Sequence, residues 1–513
     1  MPVGERGPMA LDSSATGTCA AADLTSLLEH LMQRNLTIGL IGALLAAGTT
    51  AAPAQTDGYL LACSAAAQLG RGCTTLSNPG DPSALLANPA GLASVGARAL
   101  SVNGAAFLPT MNYTNAVNPT TVGKDNIFPL PAVFFADRAR GSWVFGLGAQ
   151  TLGGMGADYT LTHALLGPNQ RYHSKFGLMK GGLAAAYRAT SRLSVGASVG
   201  ALFGQIEFAT PYAVSPAQLA GLAGLAQDPS YAPMLGGFTE ATAYANMTGL
   251  SGFGFTAGAS IQYQASPRVT LALAWTAPST LTMGGGSVSM DMNAQFGQLY
   301  QGMVAAKGGN AAVVDAQLAG FGINMANGMA SEFGAAVDFG IPQTLTLALG
   351  VRPDSRWSFG LDLGYIGWKS AFKTMPVRLT GGTNANVNIM MNGSPTNGAF
   401  GSEWQLQWKD AWTARAGVEY AATAVLSLRG GAIYGTNPVS SAGLFTIFPA
   451  IVQSAATLGA GYQIGRTVVN LTYAHTFTHE QTASSPHLVA SEYANSCSHL
   501  GETTFSLGLG WRF

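Results

Sequence analysis

Seven histidines and four cysteines are the residues with which this chain could do acid–base, nucleophilic or metal chemistry. His475 and His479 stand four apart, but in an extended strand an even spacing puts both on one face, near a rim. His163, His173, His487 and His499 fall in stretches that read as long loops. No Ser or Asp recurs near them as nucleophile or orienting partner. The Cys and His residues show no metal-ligand spacing, and the many Gly-x-Gly fragments belong to strands, not to a phosphate-binding loop. Rim or surface histidines are expected, with no cofactor, no metal and no enzyme. Leu60-Leu61-Ala62-Cys63 resembles a lipobox, yet Asp57 and the distance to the preceding apolar run give it the wrong spacing. The alternative is a disulfide. Cys63 with Cys73 would close a short loop, an exported protein permits such bonds, and the pairing of Cys497 stays open on spacing alone.

The scaffold that must hold these residues is unusual in composition. The chain has 24 Lys or Arg and 24 Asp or Glu in 513 residues, 9% charged, with 67 glycines. An ordinary soluble domain carries about 25% charged residues, and so few charges cannot cover a soluble surface. A spanning helix needs about 18 consecutive apolar residues, and only the run from Leu36 to Ala47 comes near. The other apolar residues sit in short alternating runs broken by glycine. Such a sequence suits a transmembrane β-barrel, of which only the outer face must be apolar. Zero net charge implies no nucleic-acid partner.

Met32-Gln33-Arg34 followed by Leu36 to Ala47 reads as the start of a secretory signal, with Ala52-Pro53-Ala54 as its small-residue cleavage site. Residues 32–54 are therefore expected to be a signal peptide beginning at Met32, and residues 1–31 a mis-annotated upstream extension.

Period-two alternation dominates the rest. Trp357, Phe359, Leu361, Leu363 and Tyr365 alternate with Ser358, Gly360, Asp362 and Gly364, and Phe505, Leu507, Leu509, Trp511 and Phe513 with Ser506, Gly508, Gly510 and Arg512. Candidate strands span 97–107, 129–137, 142–152, 177–188, 192–208, 250–263, 268–283, 333–351, 356–373, 402–420, 424–436, 453–464, 467–479 and 502–513. Short and long connections alternate between them, as periplasmic turns and extracellular loops do. The fold class expected is all-β, a 14-stranded antiparallel transmembrane barrel over 97–513, preceded by residues 55–96, which lack strand alternation. Loop 209–249 carries Leu219, Leu222 and Ala226 at helical spacing. Loop 284–332 carries Phe296, Leu299, Tyr300 and Met303, then Val314, Leu318, Phe321 and Met325. These apolar faces either pack on the rim and on each other or form an outward platform for binding.

Several segments resemble the FadL family of outer-membrane transporters, which includes aromatic-hydrocarbon members of the TodX type. They are Asp81-Pro82-Ser83-Ala84-Leu85-Leu86-Ala87-Asn88-Pro89-Ala90-Gly91-Leu92, Ile341-Pro342-Gln343-Thr344-Leu345, Asp362-Leu363-Gly364-Tyr365-Ile366-Gly367-Trp368, Trp408-Lys409-Asp410-Ala411-Trp412, Leu428-Arg429-Gly430-Gly431, Asn437-Pro438-Val439 and Leu458-Gly459-Ala460-Gly461-Tyr462. The resemblance implies that residues 55–96 are a hatch plugging the lumen, with Asn88, Pro89 and Ala90 in it; a simple turn before the first strand is the plainer reading of those three. It also implies hatch movement and lateral release beside a kinked third strand. Gly153 and Gly154 suit a bulge or pairing gap there, or a plain loop start. The side chains assigned to the solute are Phe203, Leu219, Leu222, Phe296, Leu299, Tyr300, Met303, Leu318 and Phe321. Fatty-acid carriers of the family place cations for the carboxylate, whereas Phe203-Gly204-Gln205-Ile206-Glu207 has none. Lys175, Lys180 or Lys307 could serve instead.

The function expected is passive outer-membrane transport of long-chain fatty acids or uncharged, aromatic hydrocarbons in a Gram-negative bacterium. A diffusion porin for small hydrophilic solutes would want a charged constriction, and few lumen-facing charges are expected. A lipid-modifying barrel enzyme is the third reading. Expected partners are the hydrophobic solute, outer-membrane lipids and lipopolysaccharide, and the barrel assembly machinery, which would read the closing Phe513 and Trp511. The barrel is expected to be a monomer.

Overall fold

The computed structural model describes residues 56–513 apart from Ala97 and residues 139–140 and 236–237. The expected upstream extension 1–31 and signal peptide 32–54 lie outside the described residues.

Fourteen antiparallel strands close into a barrel. β1 (Ala99–Thr114), β2 (Phe128–Arg138), β3 (Trp143–His163), β4 (Gly167–Arg188), β5 (Leu193–Val214) and β6 (Ala241–Ser266) are continuous. The next four are each broken once: β7 (Val269–Thr276 and Ser279–Asp291), β8 (Ala330–Ile341 and Thr344–Val351), β9 (Trp357–Ile366 and Thr374–Thr380) and β10 (Phe400–Gln405 and Ala411–Ala421). β11 (Leu426–Gly435), β12 (Ser454–Ile464), β13 (Thr467–Thr482) and β14 (Cys497–Arg512) complete the wall. β14 returns to β1 in unbroken register from Cys497 opposite Thr114 to Arg512 opposite Ala99, which closes the sheet on itself.

The alternation read in the sequence is the lipid-facing pattern. Trp357, Phe359, Leu361 and Leu363 are exposed, whereas Asp362 is buried inside. That pattern inverts along the strands. In β8, Phe333, Val337 and Phe339 point inward ahead of the break at Pro342, while Leu345, Leu347 and Leu349, at the same odd positions, point outward after it. A one-residue irregularity flips every following side chain to the other face. Pro278 and Pro342 sit in the breaks of β7 and β8, where a missing N–H costs no ladder bond. A bulge between Thr151 and Gly153 does the same in β3: Phe145 and Leu147 face out below it, and Tyr159 and Leu161 face in above it.

This inversion explains one failure of the sequence reading. The stretch between β3 and β4 is not a long loop. Both strands run on past the apolar belt and meet in a hairpin at residues 164–166, with Gly167 at φ +84°. Beyond the belt the outer face turns polar, so the expected hydrophobic-out signal disappears. His163, His173 and His499 accordingly lie on strands, and only His487 lies in a loop, 483–496. The two long loops are likewise shorter than expected, because β5 and β7 extend to Val214 and Asp291.

Replacing Leu347, a lipid-facing residue of β8, with Arg is expected to cost about 2–4 kcal/mol of folding free energy. Urea titration of the protein folded in bilayer vesicles measures it; an unchanged midpoint would show that this position does not face hydrocarbon.

Candidate functional site

Residues 56–96 run inside the barrel. Tyr59 is fully buried, with the rings of Phe176, Phe339, Trp368, Phe372 and Trp408 at centroid distances of 4.6 to 6.1 Å. Its hydroxyl donates to the Gly340 carbonyl at 2.6 Å. Cys63 and Cys73 are disulfide-bonded, their Cα atoms 5.5 Å apart. Charged wall residues hold the segment. The Asp362 carboxylate accepts from the N–H groups of Leu76 and Ser77 at 2.9 and 3.2 Å. Arg71 meets Glu419 at 3.1 Å, Glu419 also meets Arg429 at 2.5 Å, and Asp57 pairs with Arg415. The expectation of few lumen-facing charges is thus incorrect. Inward charges are present on β9, β10 and β11, but they are matched to the hatch. Asn88, Pro89 and Ala90 form the head of a short 3-10 turn (Pro89–Ser94) within the lumen. The Asn88 side chain accepts from the Gly91 N–H at 3.2 Å, and the Ala90 N–H donates to Ser260 Oγ at 2.8 Å.

The wall has a gap. β2 and β3 pair from Arg138 opposite Val144 only as far as Ala132 opposite Gln150. Beyond that, Phe128 to Pro131 pair with β1 alone, and Pro129 and Pro131 have no N–H to offer. β3 turns its backbone to the hatch: Gly153 pairs with Leu60, and the Gly154 N–H donates to the Tyr59 carbonyl at 2.9 Å. A Cβ on Gly153 would stand 2.4 Å from the Tyr59 oxygen, so only glycine admits this approach. At the gap lies a cavity of about 330 Å³, lined mostly by apolar residues including Phe107, Phe128, Met155, Phe176 and Leu61, with Lys175, Glu207 and Glu502 as its charged members.

The loop residues singled out by helical spacing do converge. Leu219, Leu222, Phe296 and Leu299 line one narrow cleft of about 20 Å³, and Met303 and Leu318 are buried in the same apolar cluster. The helices Asn293–Ala306 and Ala311–Gly320 fold onto each other, so their apolar faces are packed, not presented as an outward platform. Tyr300 is half-buried and donates to Asp315 at 2.9 Å; Phe321 remains exposed. Phe203 does not join them. It lies on the outer face of β5 against the exposed Phe253, because the residues flanking it, Leu202 and Gly204, point inward.

Sequence reasoning missed the connection 436–453. Leu444, Phe445, Ile447, Phe448, Ile451 and Val452 are all nearly inaccessible, packed into the barrel. The apolar run from Leu444 to Val452, uninterrupted by charge in a stretch otherwise reading as a loop, was the available signal. Above it opens a mouth cavity of about 710 Å³ with Trp404 in its lining, together with Glu240, Arg378 and His487.

Glu492, in the loop before β14, accepts from the Tyr172 hydroxyl at 2.5 Å and lies 3.6 Å from His163 Nε2. His163 Nδ1 accepts from the N–H groups of Leu165 and Leu166, which places its proton on Nε2. Burial pushes the Glu492 carboxyl up to about 7, with Tyr172 and Tyr493 pulling the other way and Glu240 adding to the rise. Glu480, Cys497 and His499 bring three potential metal-ligand atoms within 4.8 Å of one another, a grouping made across strands and hence invisible to spacing. Cys497 is disulfide-bonded and offers no thiolate. His475 and His479 lie on β13 and contact Thr503 and Gln453.

The chain is thus a closed barrel whose lumen holds its own N-terminal segment and whose wall lacks a backbone ladder between β2 and β3 beyond Ala132 and Gln150. Residues 45–504 match the model of a family described as outer membrane protein transport protein (OMPP1/FadL/TodX), and the chain belongs to that family. It is an outer-membrane transport protein. Among solved structures the chain is similar to a Pseudomonas aeruginosa FadL homologue (TM-score 0.66, 17% identity, covering 88% of this chain and 99% of that one). It is also similar to the Pseudomonas putida toluene transporter TodX (0.62, 16%, 88% and 98%) and the Ralstonia pickettii toluene transporter TbuX (0.60, 19%, 88% and 98%). No curated protein sequence matches it.

Two outcomes test this geometry. Gly153→Ala is expected to push the hatch strand away from β3, so that the Gly154 amide exchanges with solvent faster than in the wild type; unchanged exchange would mean the contact does not depend on glycine. Glu492 has a folded-state pKa above its unfolded value, so its contribution to stability is complete at low pH and is lost as pH rises through about 7. Glu492→Gln should therefore match wild type in Tm at pH about 4 and exceed it at pH about 8. A Tm difference independent of pH would contradict the assignment.

Proposed function

We propose that this protein carries uncharged hydrophobic molecules across the outer membrane by passive diffusion, from the extracellular mouth into an apolar lumen and out sideways between β2 and β3. The observation that carries this reading is the cavity at the gap: it is mainly apolar, it touches both the hatch at Gly58 and Leu61 and the free end of β2, and it lies where the backbone ladder between β2 and β3 is missing.

The driving force needs no energy coupling. A solute gains roughly 25 cal/mol for each Å² of apolar surface removed from water, and an exit into the bilayer spares it the polar lipopolysaccharide layer. Burying a carboxylate without a partner is costly. Lys180 donates to the Leu86 carbonyl of the hatch, Lys307 is paired with Asp228, and Arg415 with Asp57, so these cations are already engaged. Lys175 shares the gap cavity with two carboxylates. This arrangement favours an uncharged solute over a fatty-acid anion. The solved toluene transporters agree in kind, although they share only the fold with this chain. A porin would use lumenal charges to line an open constriction; here they hold the hatch.

Proteoliposomes containing the full chain should take up a radiolabelled neutral alkanol faster than empty liposomes and should not swell in arabinose. Met155→Trp, which places a large ring in the gap cavity, should return alkanol uptake to nearly the empty-liposome rate. Sugar-driven swelling without alkanol uptake would establish the porin instead, and undiminished uptake by Met155→Trp would rule out the lateral route.

A further inference from the structure

The mouth cavity and the gap cavity share no lining residue, and the segment 444–450 touches the lining of both. The rings of Phe445 and Phe448 stand 5.2 and 6.0 Å from Trp404, edge-on, and 5.1 Å from each other, and Trp404 lines the mouth cavity. Pro449 and Ala450 line the gap cavity. All seven residues of the segment are buried.

Its attachment differs from that of the wall. Its own backbone bonds are local turns: Phe448 N–H to the Phe445 carbonyl at 3.1 Å, Ala450 to Phe448 at 3.0 Å and Ile451 to Pro449 at 2.7 Å. Two side chains reach its backbone from outside. Ser174 Oγ donates to the Ile447 carbonyl at 2.5 Å. His487 Nε2, whose proton is fixed by Nδ1 accepting from the Val489 N–H, donates to the Leu444 carbonyl at 2.6 Å. Displacing the segment therefore breaks no strand ladder, and elements without such ladders occupy the low-stability end of a fold. The rest of its hold is ring and aliphatic contact, which an arriving apolar solute can replace in kind.

We propose that residues 444–450 are an internal gate between mouth and lateral exit, and that Trp404, Phe445 and Phe448 are the specificity-determining residues, admitting slim or flat hydrophobes and excluding bulky ones. The inference rests on the transport reading above but is separate from the hatch: the hatch closes the lumen toward the periplasm, whereas this segment divides the route ahead of the exit. Edge-on rings yield by small rotations to a chain or a flat ring, while a globular cage must displace the whole segment.

The test uses the full-length barrel in liposomes with two radiolabelled neutral solutes, 1-decanol and 1-adamantanol. Trp404→Ala and Phe448→Ala should each raise the adamantanol-to-decanol uptake ratio about tenfold, the scale on which a pocket discriminates by a small steric difference. Ser174→Cys with Ile447→Cys ties the segment to β4; oxidised, this variant should carry both solutes about tenfold more slowly, and reduction should restore them, with wild type under the same reductant controlling for Cys63–Cys73. A ratio unmoved by both ring truncations, or an oxidised variant working at the wild-type rate, overturns the gate. A wild-type barrel that carries neither solute refutes the transport reading itself, an outcome distinct from either.

Discussion

Backbone N–H and C=O groups within a bilayer must find partners inside the protein. A barrel meets this by closing, with an exception here where β2 parts from β3. The exception is managed by three devices in sequence. Pro129 and Pro131 remove donors from the free end of β2, the bulge at Thr151 and Gly153 swings β3 inward, and the hatch supplies a substitute strand edge at Tyr59 and Leu60. Each needs the others. Without the prolines the gap would expose unpaired amides; without the glycine the hatch could not approach; without the hatch the inner edge of β3 would lack its partner.

The inward charges belong to the same economy of unmet groups. Asp57, Arg71, Asp362, Arg415, Glu419 and Arg429 would be expensive inside a dry barrel if left alone. Matched between hatch and wall, they fix where the hatch sits, and they concentrate on β9 to β11, across the lumen from the gap. The contact with β3 is uncharged: Leu60 pairs with Gly153, the Tyr59 carbonyl accepts from the Gly154 N–H, and Ser64 Oγ donates to the Gln150 side chain at 2.7 Å. The hatch is thus held by charge pairs on one side, and on the side of β2 to β4 by main-chain and side-chain hydrogen bonds and by Leu85, Leu86 and Leu92 packed against Phe134 and Val144.

Much of this was legible in the sequence. Period two, glycine content and scarce charge were sufficient for the barrel, and the order of short motifs for its family, because both depend on features repeated along the whole wall. The helical faces of Leu219, Phe296 and Leu299 were visible in their spacing, but whether such a face meets solvent or another helix is a matter of tertiary packing that spacing does not carry. Phe203 was misplaced because an alternating strand does not announce which of its two sets faces in. The hairpin after β3 and the strand-borne histidines were lost for the same reason: above the belt the hydrophobic set changes sides. The segment 444–450 escaped because a buried loop has no periodicity to detect.

That change of sides has a consequence for where a solute can leave. Below the breaks the barrel is built as a membrane protein, oily outside and polar within; above them it is built as a soluble protein, wet outside and oily within. The wall opens beside Gly153, where β3 passes from one construction to the other. On the lateral route proposed above, a molecule dissolved in the upper core would meet the exit at the height where oil ends on the inside and begins on the outside. It would partition from one hydrocarbon-like phase to the next with no aqueous step between, and the level of the gap follows from a one-residue shift in strand register.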